Sequence, residues 1–283
     1  MAETLSRGPV SGTAVKAPGK KKPFVVDLYG TAVGKKYVMA ITGLIGIGFV
    51  ITHMIGNLKV YLGPIVEDGE RVYDIDIYGE FLRDLAVPLL PRTYLLWGLR
   101  LVLIGAVLLH IHAAWGLTRL NHKARAVKYQ SARDYQVANF ASRSMRYTGT
   151  IVSLFIVWHI ADLTWGSTGA DWSRGDVYFN IDQSLSRIPV AAIYVVANVA
   201  LGVHLFHGVW SLFQSLGWNN PRFNAWRRNA AIGTAALIVV GNISIPVATV
   251  AGIIEFDPTV TSVHELHSSG EEAGSVVSEG ADE

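Results

Sequence analysis

The sequence contains no cysteine and few charged residues. Only 16% of its 283 residues are Asp, Glu, Lys or Arg, whereas soluble domains carry about 25%. Without thiolates the chain alone cannot build a zinc-thiolate site, an iron–sulfur cluster, a redox-active CxxC motif or a disulfide scaffold. The net charge of +2 is too small to indicate binding to nucleic acid. A soluble enzyme and a disulfide-rich secreted protein are therefore both excluded.

The residues that are present form long apolar segments. Five stretches contain no charged residue, at positions 37–58, 101–118, 147–161, 188–221 and 229–254. A helix needs about 20 apolar residues to cross a bilayer core of about 30 Å. The sequence therefore predicts an all-α integral membrane protein with five transmembrane helices. The predicted spans are 37–62, 93–120, 147–166, 189–217 and 230–254.

The charges between the spans predict the orientation. Residues 63–92 carry seven acidic groups and three arginines, whereas residues 122–146 carry six Lys or Arg and one Asp. Because basic segments remain on the cytoplasmic side, the N-terminus is expected inside and the C-terminus outside. The chain then divides into a basic tail (1–36), a transmembrane domain (37–254) and an acidic tail (255–283) that we expect to be disordered.

Two local features and one absence complete this outline. Pro246 lies within the fifth span and is expected to kink it. Arg133 to Gln136, in the second loop, are expected to form a short interfacial helix. We expect no internal repeat.

Six of the nine histidines lie inside the predicted spans, on four of the five helices: His53, His110, His112, His159, His204 and His207. Ionisable residues within a membrane are costly and usually functional. Counting about 1.5 Å per residue from the inner boundary gives an outer pair, His53 and His159, and an inner pair, His112 and His204. Two imidazoles at one level on facing helices are what a six-coordinate haem requires. The four helices that carry histidines are therefore expected to form a cofactor-binding bundle. Within the inner pair, the alternative is His110 with His207.

Four segments resemble a known family. The first span contains KYVMAITGL and HMIGNL, the second HAAWGL, the third RYTG and WH, and the fourth HLFHGVWSLFQSLG. Together they resemble the single-chain, five-helix cytochrome b membrane anchor of succinate dehydrogenase and fumarate reductase, respiratory complex II. The resemblance extends over about residues 30–254.

The resemblance implies a function in electron transfer. Such an anchor holds a flavoprotein subunit and an iron–sulfur subunit on the cytoplasmic face of the bacterial plasma membrane, and it exchanges electrons with menaquinone or another quinone. The implied ligands of one or two haem b groups are His53 and His159 for the outer haem, and His112 and His204 for the inner one. His110 and His207 are additional candidates for metal or quinone contacts. The chain shows no succinate-oxidising motif. The expected quinone contacts, at the inner ends of the spans, are Trp210, Ser211, Gln214 and Trp218.

Three alternatives remain open. The inner histidines could bind a Rieske-type [2Fe-2S] cluster if a partner subunit supplied two cysteines. The chain could be a proton-coupled transporter, with which Asp162, Asn198 and Asn242 are compatible. It could also be a purely structural anchor whose histidines only bond across helices.

Overall fold

The computed structural model describes residues 23–67, 69–124, 140–218, 220–263 and 266. The predicted interfacial helix at Arg133 to Gln136 lies outside the described residues. Residues 1–22 of the basic tail and most of the acidic tail also lie outside them.

Five long helices dominate the described residues, and each is long and apolar enough to cross a membrane. The prediction of an all-α membrane protein with five spans is confirmed. The fifth helix begins nearer the N-terminus than its apolar stretch does, because backbone hydrogen bonding continues through Arg227 and Arg228. Pro246 lies inside that helix and is buried, and the kink expected there stays a prediction. The long helices are α2 (Ala32–Asn57), α4 (Tyr94–Lys123), α5 (Phe140–His159), α7 (Ile188–Ser215) and α8 (Asn224–Val250).

The helices pack around α7. Helix α7 contacts α8, α5 and α2, and α2 also contacts α4. The core between α7 and α8 includes Leu205, Ala235 and Ile238. Small residues permit the close approach of these helices: a Cβ at Gly202 would lie 2.3 Å from a Val239 methyl group. Helices α2, α4, α5 and α7 therefore form a bundle, with α8 packed against α7 and α2.

The shorter elements are found mainly where the long helices are joined. A short helix, α1 (Phe24–Gly30), precedes α2, and a 3-10 turn at Leu58–Leu62 follows it. Between α2 and α4 lie an antiparallel hairpin, β1 (Pro64–Glu67) and β2 (Glu70–Tyr73), and helix α3 (Asp74–Asp84). Helix α5 continues into a π-helical turn at Ile160–Thr164, and α6 (Val177–Leu185) precedes α7. A second 3-10 turn at Pro221–Phe223 leads into α8.

The hairpin, α3, α6 and residues 254–263 cover one end of the bundle, and we call them the cap. Its centre is the stacked pair Tyr73 and Tyr178, whose ring centroids lie 3.7 Å apart. Asp76 is buried beside them, and its Oδ1 accepts the Tyr178 backbone N–H at 2.9 Å. Loss of hydration on burial raises the pKa of Asp76 to about 7, and the nearby Asp176 carboxylate acts in the same direction. Sequence analysis did not anticipate the cap, because short amphipathic elements give no strong periodic signal.

Candidate redox-cofactor site

The cap-side pair consists of His53 and His159. His53 lies in the last turns of α2, and His159 is the final residue of α5 before the π-helical turn. Their ring centroids are 5.8 Å apart and their planes are nearly perpendicular, at 84°. Phe49 stacks on His53 at 5.2 Å, and Phe155 lies 5.7 Å from His159. The structure thus brings together the two histidines that the sequence placed at the outer level.

The far pair, at the level away from the cap, consists of His110 and His204. Their ring centroids are 6.3 Å apart, with an interplanar angle of 61°. Each lies sixteen residues after the first residue of its helix, α4 or α7, which is about 24 Å along the axis. Sequence analysis had paired His204 with His112. Because residues two apart point to different sides of a helix, only one histidine on α4 faces His204 here, and it is His110.

A threonine orients each imidazole of the far pair. Thr42 Oγ1 donates to the Val38 carbonyl oxygen at 2.6 Å and lies 3.0 Å from His110 Nδ1. Thr148 Oγ1 likewise donates to a carbonyl oxygen one turn back, and it lies 3.4 Å from His204 Nδ1. Since each hydroxyl proton is directed to a carbonyl, the hydroxyl oxygen accepts from Nδ1–H. That tautomer leaves the Nε2 lone pair free to bind a metal.

Glycines beside these threonines allow the histidines to approach closely. A Cβ at Gly43 would lie 3.5 Å from His110 Cε1, and one at Gly149 would lie 3.3 Å from His204 Cε1. A larger side chain at either position would press against the imidazole that its neighbouring threonine orients.

A short sequence motif occurs on both α2 and α5, the helices that carry the cap-side histidines. This finding corrects the expectation of no internal repeat. Helix α2 reads Met-x-x-Thr-Gly from Met39 to Gly43, and α5 reads the same from Met145 to Gly149. In both helices the cap-side histidine follows the glycine by ten residues, or about 15 Å. The helix pairs α2–α4 and α5–α7 therefore carry the same motif and histidines at equivalent depths. A search for this short spaced motif in the sequence would have found the correspondence.

The distances within both pairs suit a shared metal ion. A first-row metal lies about 2.0 Å from an imidazole nitrogen, and that nitrogen lies about 1.1 Å from the ring centroid. Two imidazoles that bind the same ion can therefore have ring centroids up to about 6.2 Å apart. The observed separations are 5.8 and 6.3 Å. His159 Nδ1 is buried without a hydrogen-bond partner, as at a site where a further group is expected. In the part of the chain that the structure describes, no three His, Asp or Glu side chains cluster to hold a bare metal ion. Each level offers two imidazoles, which is the number of protein ligands that a six-coordinate haem iron takes.

His112 is separate from both pairs and lies beside α1, close to the first turn of α2. Its Nδ1 lies 2.5 Å from the Tyr29 hydroxyl, and the two rings stack at 5.8 Å. The Lys35 ammonium lies 4.1 Å from the centre of the Tyr29 ring and donates to the Tyr29 carbonyl. The Lys35 side chain passes over α4 at Gly116, where a Cβ would lie 2.9 Å from Lys35 Cε.

The four predicted quinone contacts have different environments. The Arg227 guanidinium lies 4.7 Å from the centre of the Trp210 ring, and its Nη1 donates to the Trp218 carbonyl at 3.3 Å. Ser211 Oγ donates to a carbonyl of its own helix. The Gln214 side chain and the Trp218 ring are exposed. His207 lies on α7 between His204 and Trp210, and it is partly buried. Sequence analysis missed Arg227, which is nearly fully buried although it stands in a basic segment.

The polar residues that sequence analysis considered for a transporter have partners within the described residues. Asn242 Nδ2 donates to Asn198 Oδ1 at 3.0 Å, joining α8 to α7. Asp162 accepts hydrogen bonds from Ser184 and Tyr194 and pairs with Arg187.

Fold and site together define a multi-pass helical membrane protein with two pairs of facing histidines inside its bundle. Residues 121–243 match the model of one protein family, the succinate dehydrogenase/fumarate reductase transmembrane subunit. The resemblance to that family is thereby confirmed for this segment, which covers less than half of the chain. The matched segment includes His159 and His204, whereas His53 and His110 precede it. No curated protein and no solved structure matches the chain.

Proposed function

We propose that the chain is the cytochrome b membrane anchor of a succinate:quinone oxidoreductase, and that it carries electrons between an iron–sulfur subunit and membrane quinone. The observation that carries this proposal is the presence of two histidine pairs, each with ring centroids about 6 Å apart, at two levels of the bundle. The family match gives the enzyme to which the anchor would belong. The flavoprotein subunit that oxidises succinate would be a separate chain.

The cap-side pair, His53 and His159, and the far pair, His110 and His204, would each hold one haem b through their imidazole nitrogens. Haem bound there supplies reversible one-electron transfer. The chain's own residues fix the ligands: Thr42 and Thr148 select the tautomer of the far pair, and Phe49 and Phe155 pack against the cap-side rings. Levels about 15 Å apart would let electrons cross much of the bilayer.

For the far haem, this arrangement replaces one ligand expected from the family resemblance. His110 takes the position expected for His112, because His110 faces His204 and its Nδ1 has an acceptor on α2. His112 and His207 would then contact the quinone or lie at the protein surface, and they would not bind iron.

The quinone would bind at the end of the bundle opposite the cap. Trp210, Trp218 and the buried Arg227 lie together there. Aromatic rings provide walls for a flat quinone, and a guanidinium provides donors for its carbonyl oxygen. The exposed Arg222 and Arg228 at this end would also attract an iron–sulfur subunit with an acidic docking face.

Single replacements of the four predicted ligands and of His112 test the proposal. In the purified complex we expect His110→Ala and His204→Ala to remove the same haem signal and quinone reduction. His53→Ala and His159→Ala should remove the other haem signal. His112→Ala is the matched control from the same helix and should retain both haems.

Three outcomes would contradict parts of this assignment. Loss of the far haem in His112→Ala but not in His110→Ala would restore the pairing expected from sequence. A complex without a pyridine haemochrome but with a low-average-g resonance would favour the Rieske-type cluster. A colourless complex that retains activity in all five variants would refute a redox role for the histidines.

A further inference from the structure

A buried acidic network lies directly beside the cap-side pair. The Asp162 side chain is fully buried, in the π-helical turn that follows His159. Its Oδ2 accepts from Ser184 Oγ at 2.6 Å and from the Tyr194 hydroxyl at 2.7 Å. Its Oδ1 accepts from Thr168 and from Arg187 Nη2. These four donors replace the hydration that the carboxyl group loses on burial.

The network reaches the imidazole of His159 through Tyr194. The Tyr194 ring lies 5.8 Å from the His159 ring at an angle of 67°, and it meets the Phe155 ring edge-on at 5.0 Å. His159 Nδ1 has no hydrogen-bond partner of its own, unlike the imidazoles of the far pair. Packing against Tyr194 and Phe155 therefore fixes the orientation of this ring, and the hydrogen bond to Asp162 fixes Tyr194.

We propose that Asp162 is a positioning residue for the cap-side redox centre: it holds the His159 ring through Tyr194, and its charge favours the oxidised form of the bound cofactor. This inference rests on the proposed function, since it requires a haem on His53 and His159. It assigns to Asp162 a role that a structural ion pair would not have.

The charge argument follows from electrostatics in a medium of low dielectric constant. Oxidation of a bound iron adds one positive charge at the histidine pair, and a nearby carboxylate stabilises that charge. The positive charge of Arg187, whose Nη2 lies 3.4 Å from Asp162 Oδ1, disfavours the oxidised form of the cofactor. Loss of the carboxylate or of the guanidinium should therefore shift the redox equilibrium of the cap-side centre in opposite directions.

The experiment is a potentiometric titration of haem absorbance in the purified complex, with electron paramagnetic resonance of the oxidised state. At a fixed potential we expect Asp162→Asn to raise the ratio of reduced to oxidised cap-side haem about tenfold, which equals about 59 mV for one electron. Arg187→Gln should lower that ratio. Tyr194→Phe removes the hydrogen bond to Asp162, so the His159 ring is held less firmly and the g-values of the cap-side haem should change. The ratio of reduced to oxidised haem should change less than in Asp162→Asn.

Two matched variants control for unspecific effects. Asp171→Asn removes an exposed charge from the loop that follows the π-helical turn. Tyr178→Phe removes a cap hydroxyl that bonds to the Glu255 carbonyl. Both should leave the titration and the spectrum unchanged, and the far haem should be unaffected in every variant.

The outcomes separate this inference from the proposed function. A wild-type complex without haem would overturn both. Two haems with unchanged midpoints in Asp162→Asn and Arg187→Gln, and unchanged g-values in Tyr194→Phe, would overturn the inference alone. Shifts of equal sign in Asp162→Asn and Arg187→Gln would also overturn it, because that result indicates general disturbance of the fold.

Discussion

Replacement of Thr42 by valine tests whether this threonine sets the orientation and tautomer of His110 in the far pair. Valine keeps the shape of threonine but removes the hydroxyl oxygen that accepts from His110 Nδ1–H at 3.0 Å. The imidazole can then rotate or adopt the other tautomer, in which Nε2 carries the proton and cannot bind iron. We therefore expect Thr42→Val to weaken haem retention at the far pair while the helices remain folded.

The size of the effect follows from the contacts that remain. Loss of a partner that orients a metal-binding histidine costs about 10- to 100-fold in affinity. The Met39 backbone carbonyl is a second acceptor near His110, so we expect the lower end of that range. A tenfold loss corresponds to about 1.4 kcal/mol. Thr148→Val should have a smaller effect, because its oxygen lies 3.4 Å from His204 Nδ1.

The assay measures haem release from the purified complex to an apoprotein acceptor, followed by the absorbance of each haem. Thr52→Val is the control on the same helix, since Thr52 is exposed and its hydroxyl bonds only to helix carbonyls. Release that is equally fast in Thr42→Val and Thr52→Val, or unchanged in both, would refute the orienting role of Thr42. Faster release of the cap-side haem instead would show that the levels have been assigned to the wrong histidines.

Two further predictions concern the cap and the orientation. Because burial raises the pKa of Asp76 from 3.8 to about 7, the folded state binds its proton more tightly than the unfolded chain, so the stability contributed by this group is complete below pH 4 and is lost as the pH rises to 7. Asp76→Asn should flatten the pH dependence of Tm in that range, whereas the exposed Asp171→Asn should not, and an equal slope in both would refute the assignment. A periplasmic reporter fused after Thr261 should be active and one fused after Asn224 silent, in keeping with the loop charges; the reverse result would invert the proposed orientation.

The amino-acid sequence determined the class of fold and the membrane spans. Backbone groups in a bilayer must bond within the protein, as they do in helices and closed barrels. Charge-free stretches of about 20 residues have the length of a spanning helix, whereas a barrel strand has about half that length. That constraint acts within each segment, so the five spans could be predicted from the local sequence. The helix ends were less well predicted, as the early start of α8 at Asn224 shows, because hydropathy measures side chains and not backbone hydrogen bonds.

The cap could not be predicted in the same way. The hairpin and helices α3 and α6 are short, and contacts between distant segments hold them, such as the stacking of Tyr73 on Tyr178. The sequence contains no local signal for a contact between residues a hundred positions apart. The same limit applies to Asp76, whose burial depends on α6.

The pairing of the histidines was decided in part by sequence and in part by tertiary structure. Depth follows from residue counting, so the sequence alone predicts that His53 and His159 share one level. Which face of a helix meets its partner depends on rotation about the helix axis, and neighbouring helices set that rotation. On α4 the packing of His110 against Gly43 and Thr42 turns His110 toward His204, and His112 is turned toward Tyr29. Residues two positions apart have nearly equal depth but different directions, so the sequence determined the levels of the site and only the packed bundle decided which histidine faces His204.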